Sequence, residues 1–309
     1  MKQTVLITGG TGLVGKALAR ALVEKGYKVI ILTRNAGDKK QQPHISYAGW
    51  HVKNQEIDIT ALQEADHIIH LAGAGVVEKK WTAAYKKEIQ ESRTESSRLI
   101  IEALKNNPNK VKTVISASAI GWYGADADHA FPFTEVAPPD NSFLGQTCKM
   151  WEAGIEPVNA LGKRLVKYRI GIVLSNDGGA LVEFKKPIRF GVAAILGSGD
   201  QVVSWIHIDD LCKLFIAGIE NEDLSGSYNA VAPNPVSNKA LTLALAKAMT
   251  GKFYIPMHVP AFVLNLMMGQ RSIEVLKSTT VSCKKILDTG FEFTFETIEA
   301  AIAGLLKKT

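Results

Sequence analysis

The eight residues TGGTGLVG at positions 8–15 set Gly9, Gly12 and Gly15 three apart, directly after the apolar run TVLIT and at the start of LVGKALARALVEK. Glycine permits a tight turn and lets the backbone come close to a pyrophosphate. A helix opening at Leu13 and Val14 adds its amides and the positive end of its dipole. This spacing predicts a dinucleotide-binding turn between a strand and a helix. A kinase-type P-loop is a poor alternative, because no Gly-Lys-Ser/Thr follows.

The end of the next strand indicates which dinucleotide. An NAD site usually carries Asp or Glu there, about 20 residues on, to accept hydrogen bonds from the ribose hydroxyls. Here the segment reads LTRN, so Thr33 and Arg34 stand where the carboxylate would sit. Arginine forms charge-assisted bonds with a 2′-phosphate, which favours NADP(H) over NAD(H). Arg34 as a solvated loop cation is the alternative.

The elements that must position this turn are legible as apolar periodicity. Leu13, Ala17, Leu18, Ala21 and Leu22 recur at helical spacing. VIILT at 29–33, HIIHLAG at 67–73, VKTVISAS at 111–118 and RLVKYRIGIVL at 164–174 read as buried strands, with helices around 82–106 and 143–160 between them. Continuously apolar strands predict a parallel sheet covered on both faces. From about 175 the chain is richer in Gly and Pro. The expected division is one lobe of 1–174 plus about 205–232 and a smaller one of about 175–204 plus 233–309.

The whole chain narrows the class. Its 309 residues, 46% hydrophobic and 21% charged, suffice for one large core or two modest ones, and no tract suggests disorder. The net charge of +6 is scattered, with no aromatic-studded basic stripe, so no nucleic-acid partner is expected. Three well-separated cysteines, Cys148, Cys212 and Cys283, predict reduced thiols rather than a disulfide framework. No secretory signal and no membrane-spanning run is evident, so a soluble cytoplasmic protein without a membrane partner is expected. His67 and His70, three apart on a strand, point to opposite faces and do not chelate a metal.

TGGTGLVG, HLAGAG at 70–75, SASAIGWYG at 116–124 and WIHIDDL at 205–211 together resemble the extended short-chain dehydrogenase/reductases. KKWTAAYKKEIQESRTESS, FLGQTCKMWE, RIGIVLSNDGGAL, LGSGDQVVSWIHIDDL and the GFEF tail are similar to an atypical branch of that NAD(P)-dependent epimerase/dehydratase family, the cell-division-inhibitor-like branch. The resemblance spans essentially the full length. It implies an α/β fold with a Rossmann-type doubly wound parallel sheet, a smaller, mostly helical C-terminal substrate lobe, and an active site in the cleft between them. It also implies that the turn glycines hold the pyrophosphate, that Thr33 and Arg34 hold the 2′-phosphate, and that Leu71 and Ala72, followed by Gly73, line the ribose. Glu88 and Arg93 are implied to face the cofactor, with Val173 near the nicotinamide. Extended members often pair through a helix bundle, so a homodimer is allowed.

The wider superfamily transfers protons with Tyr-x-x-x-Lys, because a phenol titrating near ~10 needs a neighbouring cation to work at neutral pH. Aligned on the helix ending in Glu152, those positions hold Leu144 and Cys148, and none of the seven tyrosines has Lys four residues on. The remaining proton carriers are Ser118, at the position of the superfamily's active serine or threonine, and Tyr123, either an acid/base or an aromatic wall. For substrate contacts the candidates are the loop carboxylate Glu135, Arg189 in the second lobe, and His207 at a strand end. Asp209 and Asp210 start a helix, and capping is expected to explain one of them.

Overall fold

The computed structural model describes residues 3–40, 42–126 and 131–307. In chain order its elements begin with strand β1 (Thr4–Thr8), helix α1 (Leu13–Glu24), β2 (Lys28–Thr33), β3 (Ile45–His51), β4 (Glu56–Ile57), α2 (Ile59–Glu64) and β5 (His67–His70). There follow α3 (Ala83–Asn106), β6 (Thr113–Ala119), α4 (Phe143–Ile155), β7 (Arg164–Ile170), β8 (Ile172–Leu174), α5 (Ala180–Ile188) and β9 (Val192–Leu196). The remainder is β10 (Val202–Val203), β11 (Trp205–His207), α6 (Ile208–Glu220), β12 (Gly226–Ala230), β13 (Val236–Ser237), α7 (Asn238–Thr250), β14 (Ile255–Val259), α8 (Ala261–Met268), α9 (Ser272–Leu276), α10 (Lys284–Leu287) and α11 (Ile298–Lys307).

The apolar strands assemble as read. Eight of them form one sheet in the order β12-β7-β6-β5-β1-β2-β3-β4, parallel except for the β4 edge. Helices cover both faces, so successive strand residues are buried in turn: Val5 and Ile7 join one apolar cluster, Leu6 the other. The order reverses at β1, where β2 leaves to one side and β5 to the other, with Thr8 in register with Leu32 and His70. Such a switch point opens a crevice at the strand carboxyl ends, which is where open α/β sheets take their ligands.

Three local readings need correction. The run RLVKYRIGIVL is two strands, because Gly171 turns the chain out of the main sheet and β8 pairs instead with β11. A Cβ on Gly171 would stand 2.6 Å from the Ser204 carbonyl oxygen, so glycine is what admits that crossing. The helix at 143–160 is α-helical to Ile155 and then tightens to a 3-10 helix over Glu156–Leu161. Neither Asp209 nor Asp210 is the N-cap of α6; His207 caps it, accepting from Asp209 N at 3.0 Å through Nδ1. Asp210 is fully buried and instead accepts the amides of Thr294 and Phe295, both at 2.9 Å, anchoring the C-terminal segment to α6.

Candidate functional site

The glycine turn leaves no room for a side chain at Gly9, Gly10 or Gly15. Gly9 has φ +68°, and a Cβ there would lie 2.8 Å from the Leu71 carbonyl. At Gly10 a Cβ would strike the Ile31 side chain at 2.7 Å, and at Gly15 it would strike the Gly9 carbonyl oxygen at 2.4 Å. Gly12 is the N-cap of α1 and no side chain caps that end. The first-turn amides around Leu13 and Val14 therefore face the crevice without an internal carboxylate or hydroxyl, a fit for a bound anion. Thr33 closes β2, and Arg34 just beyond it is exposed, with no carboxylate at the end of that strand.

Across the switch point, Leu71, Ala72 and Gly73 follow β5 directly. Arg93 lies over them from α3: a Cβ on Gly73 would stand 2.9 Å from its Cζ, and its Nη1 donates to Ala74 O at 3.1 Å and Ile89 O at 2.8 Å. The guanidinium stacks over the Trp151 ring at 4.8 Å. It is buried and has no carboxylate partner among the described residues; burial lowers its pKa. A buried cation without a counter-ion beside the phosphate turn suits an anionic or hydroxyl-rich ligand.

Leu144 and Cys148 flank Gly121, whose added Cβ would lie 3.2 Å from Leu144 Cβ and 3.7 Å from Cys148 Sγ. Burial pushes the Cys148 thiol up to about 12, so it stays a neutral thiol at physiological pH. Neither residue moves a proton near neutrality.

Ser118 and Tyr123 meet in a different setting. Ser118 Oγ donates to Glu152 Oε1 at 2.8 Å, and Glu152 is held by Arg169 through a two-point pair, Nε at 2.7 Å and Nη2 at 3.0 Å. The Tyr123 hydroxyl donates to Asn229 Oδ1 at 2.5 Å and accepts from Arg169 Nη1 at 3.0 Å. Burial raises its pKa to about 12, against the opposing charge of Arg169. Glu135 closes this cluster from its loop, its carboxylate accepting Asn229 N at 2.8 Å and its carbonyl accepting from Arg169 at 3.1 Å. Both hydroxyls are thus engaged in a buried ionic cluster. The sequence reading does not find the Glu152–Arg169 pair, although Lys167 and Arg169, two cations in the buried part of β7, require buried partners.

The other candidates scatter. Glu88 is on the exposed side of α3, 3.5 Å from Lys79. Val173 lies on β8 beside the phosphate turn, since Gly179, close to its carbonyl, also adjoins Leu13. Arg189 is exposed at the end of α5. His207 is buried and stacked on Phe295, ring centroids 3.8 Å apart. Among the described residues no cluster of three His, Cys, Asp or Glu could hold a metal, and no helix is long and apolar enough to cross a membrane.

A doubly wound sheet with a glycine cradle at its switch point is the NAD(P)-binding Rossmann class. Within it, the chain belongs to the NAD dependent epimerase/dehydratase family. Residues 5–144 match that family and residues 259–305 match a domain of unknown function, DUF1731. An epimerase family protein of Staphylococcus aureus strain NCTC 8325 is 37% identical over 100% of both chains. The crystal structure of human epimerase family protein SDR39U1 (isoform 2) with NADPH superposes with TM-score 0.86 at 27% identity, covering 99% of this chain and 100% of that one. A nucleoside-diphosphate sugar epimerase of Corynebacterium glutamicum is 31% identical with TM-score 0.77, covering 99% of this chain and 58% of that one.

Proposed function

We propose that this chain binds NADP(H) in preference to NAD(H) and acts as an oxidoreductase or epimerase-like enzyme on a small carbonyl, hydroxyl or nucleotide-linked substrate, without a Tyr-x-x-x-Lys pair. The observation that carries the reading is the glycine cradle facing an uncapped helix end, with Arg34 rather than a carboxylate at the end of β2. The human relative solved with NADPH supports it.

In this reading Gly9, Gly12 and Gly15, with the Leu13 and Val14 amides, hold the diphosphate, and Thr33 and Arg34 hold the 2′-phosphate. Leu71, Ala72 and Gly73 line the ribose, Glu88 and Arg93 orient the cofactor from α3, and Val173 borders the nicotinamide. When bound, the nicotinamide supplies hydride transfer. The chain supplies position, a dry crevice walled by Leu144 and neutral Cys148, and the Arg93 charge; near-attack geometry of this kind carries much of a hydride transfer barrier. Residues 175–204 and 233–309 provide the substrate side of the cleft, with Arg189 as its cation, and the protein works in the cytoplasm.

The test is NADPH oxidation and NADP+ reduction across a broad panel of carbonyls and nucleotide sugars. Turnover of any member above background supports an enzyme, and none across the panel removes it. A second reading rests on the residues at 144 and 148, a leucine and a thiol held at about 12: a dinucleotide-sensing module that binds a protein partner without catalysis. It predicts pull-down profiles that differ with and without NADPH, and identical profiles reject it.

A further inference from the structure

His70 reads in the sequence as one more residue of a buried strand. We propose that it is a positioning residue that locks the phosphate-binding turn to the helical turn carrying Arg93; the proposal rests on the NADP(H) reading above.

The hydrogen bonds fix the state of the ring. The amides of Leu71 and Ala72 both point at Thr8 Oγ1, at 3.1 and 3.2 Å. An amide only donates, so the Thr8 hydroxyl hydrogen goes elsewhere, and its partner is His70 Nδ1 at 2.8 Å. Nδ1 is therefore the bare nitrogen and Nε2 carries the hydrogen. Nε2 faces Ser96 Oγ and Ser97 Oγ, each at 3.3 Å, and these hydroxyls donate to Arg93 O at 3.0 and 2.9 Å, leaving their lone pairs to accept from His70.

Every bond in this chain is polarised in one direction, from the 71–72 amides through Thr8, His70 and the two serines to the Arg93 carbonyl, an arrangement in which each bond strengthens the next. The circuit also closes. The Arg93 side chain returns to Ala74 O, and a Cβ on Gly9 would touch the Leu71 carbonyl at 2.8 Å, so the turn, the loop after β5 and α3 form one body. Thr8, His70, Ser96 and Ser97 are all fully buried, so no water replaces a lost link. Burial, with the Arg93 charge adding to it, keeps the ring neutral, and the circuit stays intact across the physiological range.

A merely packed histidine would tolerate loss of the Nε2 link without consequence for one half of the cofactor. The test compares titration of NADPH with titration of adenosine 2′-monophosphate, which reaches the Arg34 end and lacks the diphosphate. His70→Asn keeps an acceptor for Thr8 and removes the donor to the serines; Ser96→Ala with Ser97→Ala keeps the histidine and removes its link to Arg93, which guards against a misfolded His70 variant. Both are expected to lose about tenfold or more in NADPH affinity while binding adenosine 2′-monophosphate within about twofold of the parent. NADPH affinity unchanged in both, or both nucleotides weakened equally, overturns the positioning role. A parent chain that binds neither nucleotide overturns the cofactor reading instead, and with it any nucleotide purpose for the link.

Discussion

Replacing Gly15 with alanine puts the turn's construction to a direct test. The added methyl carbon would sit 2.4 Å from the Gly9 carbonyl oxygen, 2.5 Å from Gly10 Cα and 2.8 Å from the Gly10 carbonyl carbon. All three are backbone, so relief requires α1 and the turn to separate by about 1 Å to reach ordinary van der Waals contact. Overpacking of that kind costs roughly 1 to 3 kcal/mol, which in a chain of this size lowers the melting temperature by roughly 2 to 5 °C. The displaced atoms carry the diphosphate amides, so NADPH affinity should fall by more than about tenfold. Gly12→Ala is the control for stability alone: its Cβ would meet only the Gly9 carbonyl oxygen at 3.3 Å and its φ of −77° suits any residue, so it should melt close to the parent. Calorimetric melting and nucleotide titration of both variants read the two effects. Gly15→Ala melting and binding like the parent would refute the reasoning that the third glycine is fixed by backbone contact.

Other expectations follow from the same geometry. Tyr123→Phe strands Asn229 Oδ1 and one Arg169 donor, so urea denaturation should show a loss of about 1 to 3 kcal/mol with NADPH affinity little changed. Arg169→Met leaves the Glu152 carboxylate buried without its two-point partner and should cost about 3 to 5 kcal/mol in the same assay. His70 and His67 titrate near 3 and 4 in the fold against 6.5 unfolded, burial being the main cause in each. Between those values the unfolded chain binds more protons, so stability is complete above about pH 6.5 and falls as pH drops toward 4, and His70→Gln should reduce the slope by about 1.4 kcal/mol per pH unit.

The sequence made the glycine turn, the crossover helix and the switch-point sheet readable because each rests on local pattern: glycine spacing, helical periodicity, continuous apolar strands. It concealed what depends on distant neighbours. Glu152 meets Arg169 across 17 positions and Tyr123 meets Asn229 across 106, and no local pattern announces such pairs. Ser118, at the position of the superfamily's active serine or threonine, and Tyr123 just beyond it read as proton carriers, yet strand alternation turns Ser118 toward α4 and its buried glutamate. His207 escaped as a cap because imidazole caps by geometry rather than by residue preference. The one legible hint of the ionic cluster was Lys167 and Arg169 two apart on a buried strand, which puts both on one face and both within reach of Glu152.

The central claim is the NADP(H) preference carried by the glycine cradle and Arg34, and calorimetric titration of nucleotide-free protein with NADPH and with NADH, repeated on Arg34→Ala, tests it most directly. The account predicts much tighter binding of NADPH, with the preference lost in Arg34→Ala. Equal affinity for the two nucleotides, or a preference that survives the substitution, would contradict it.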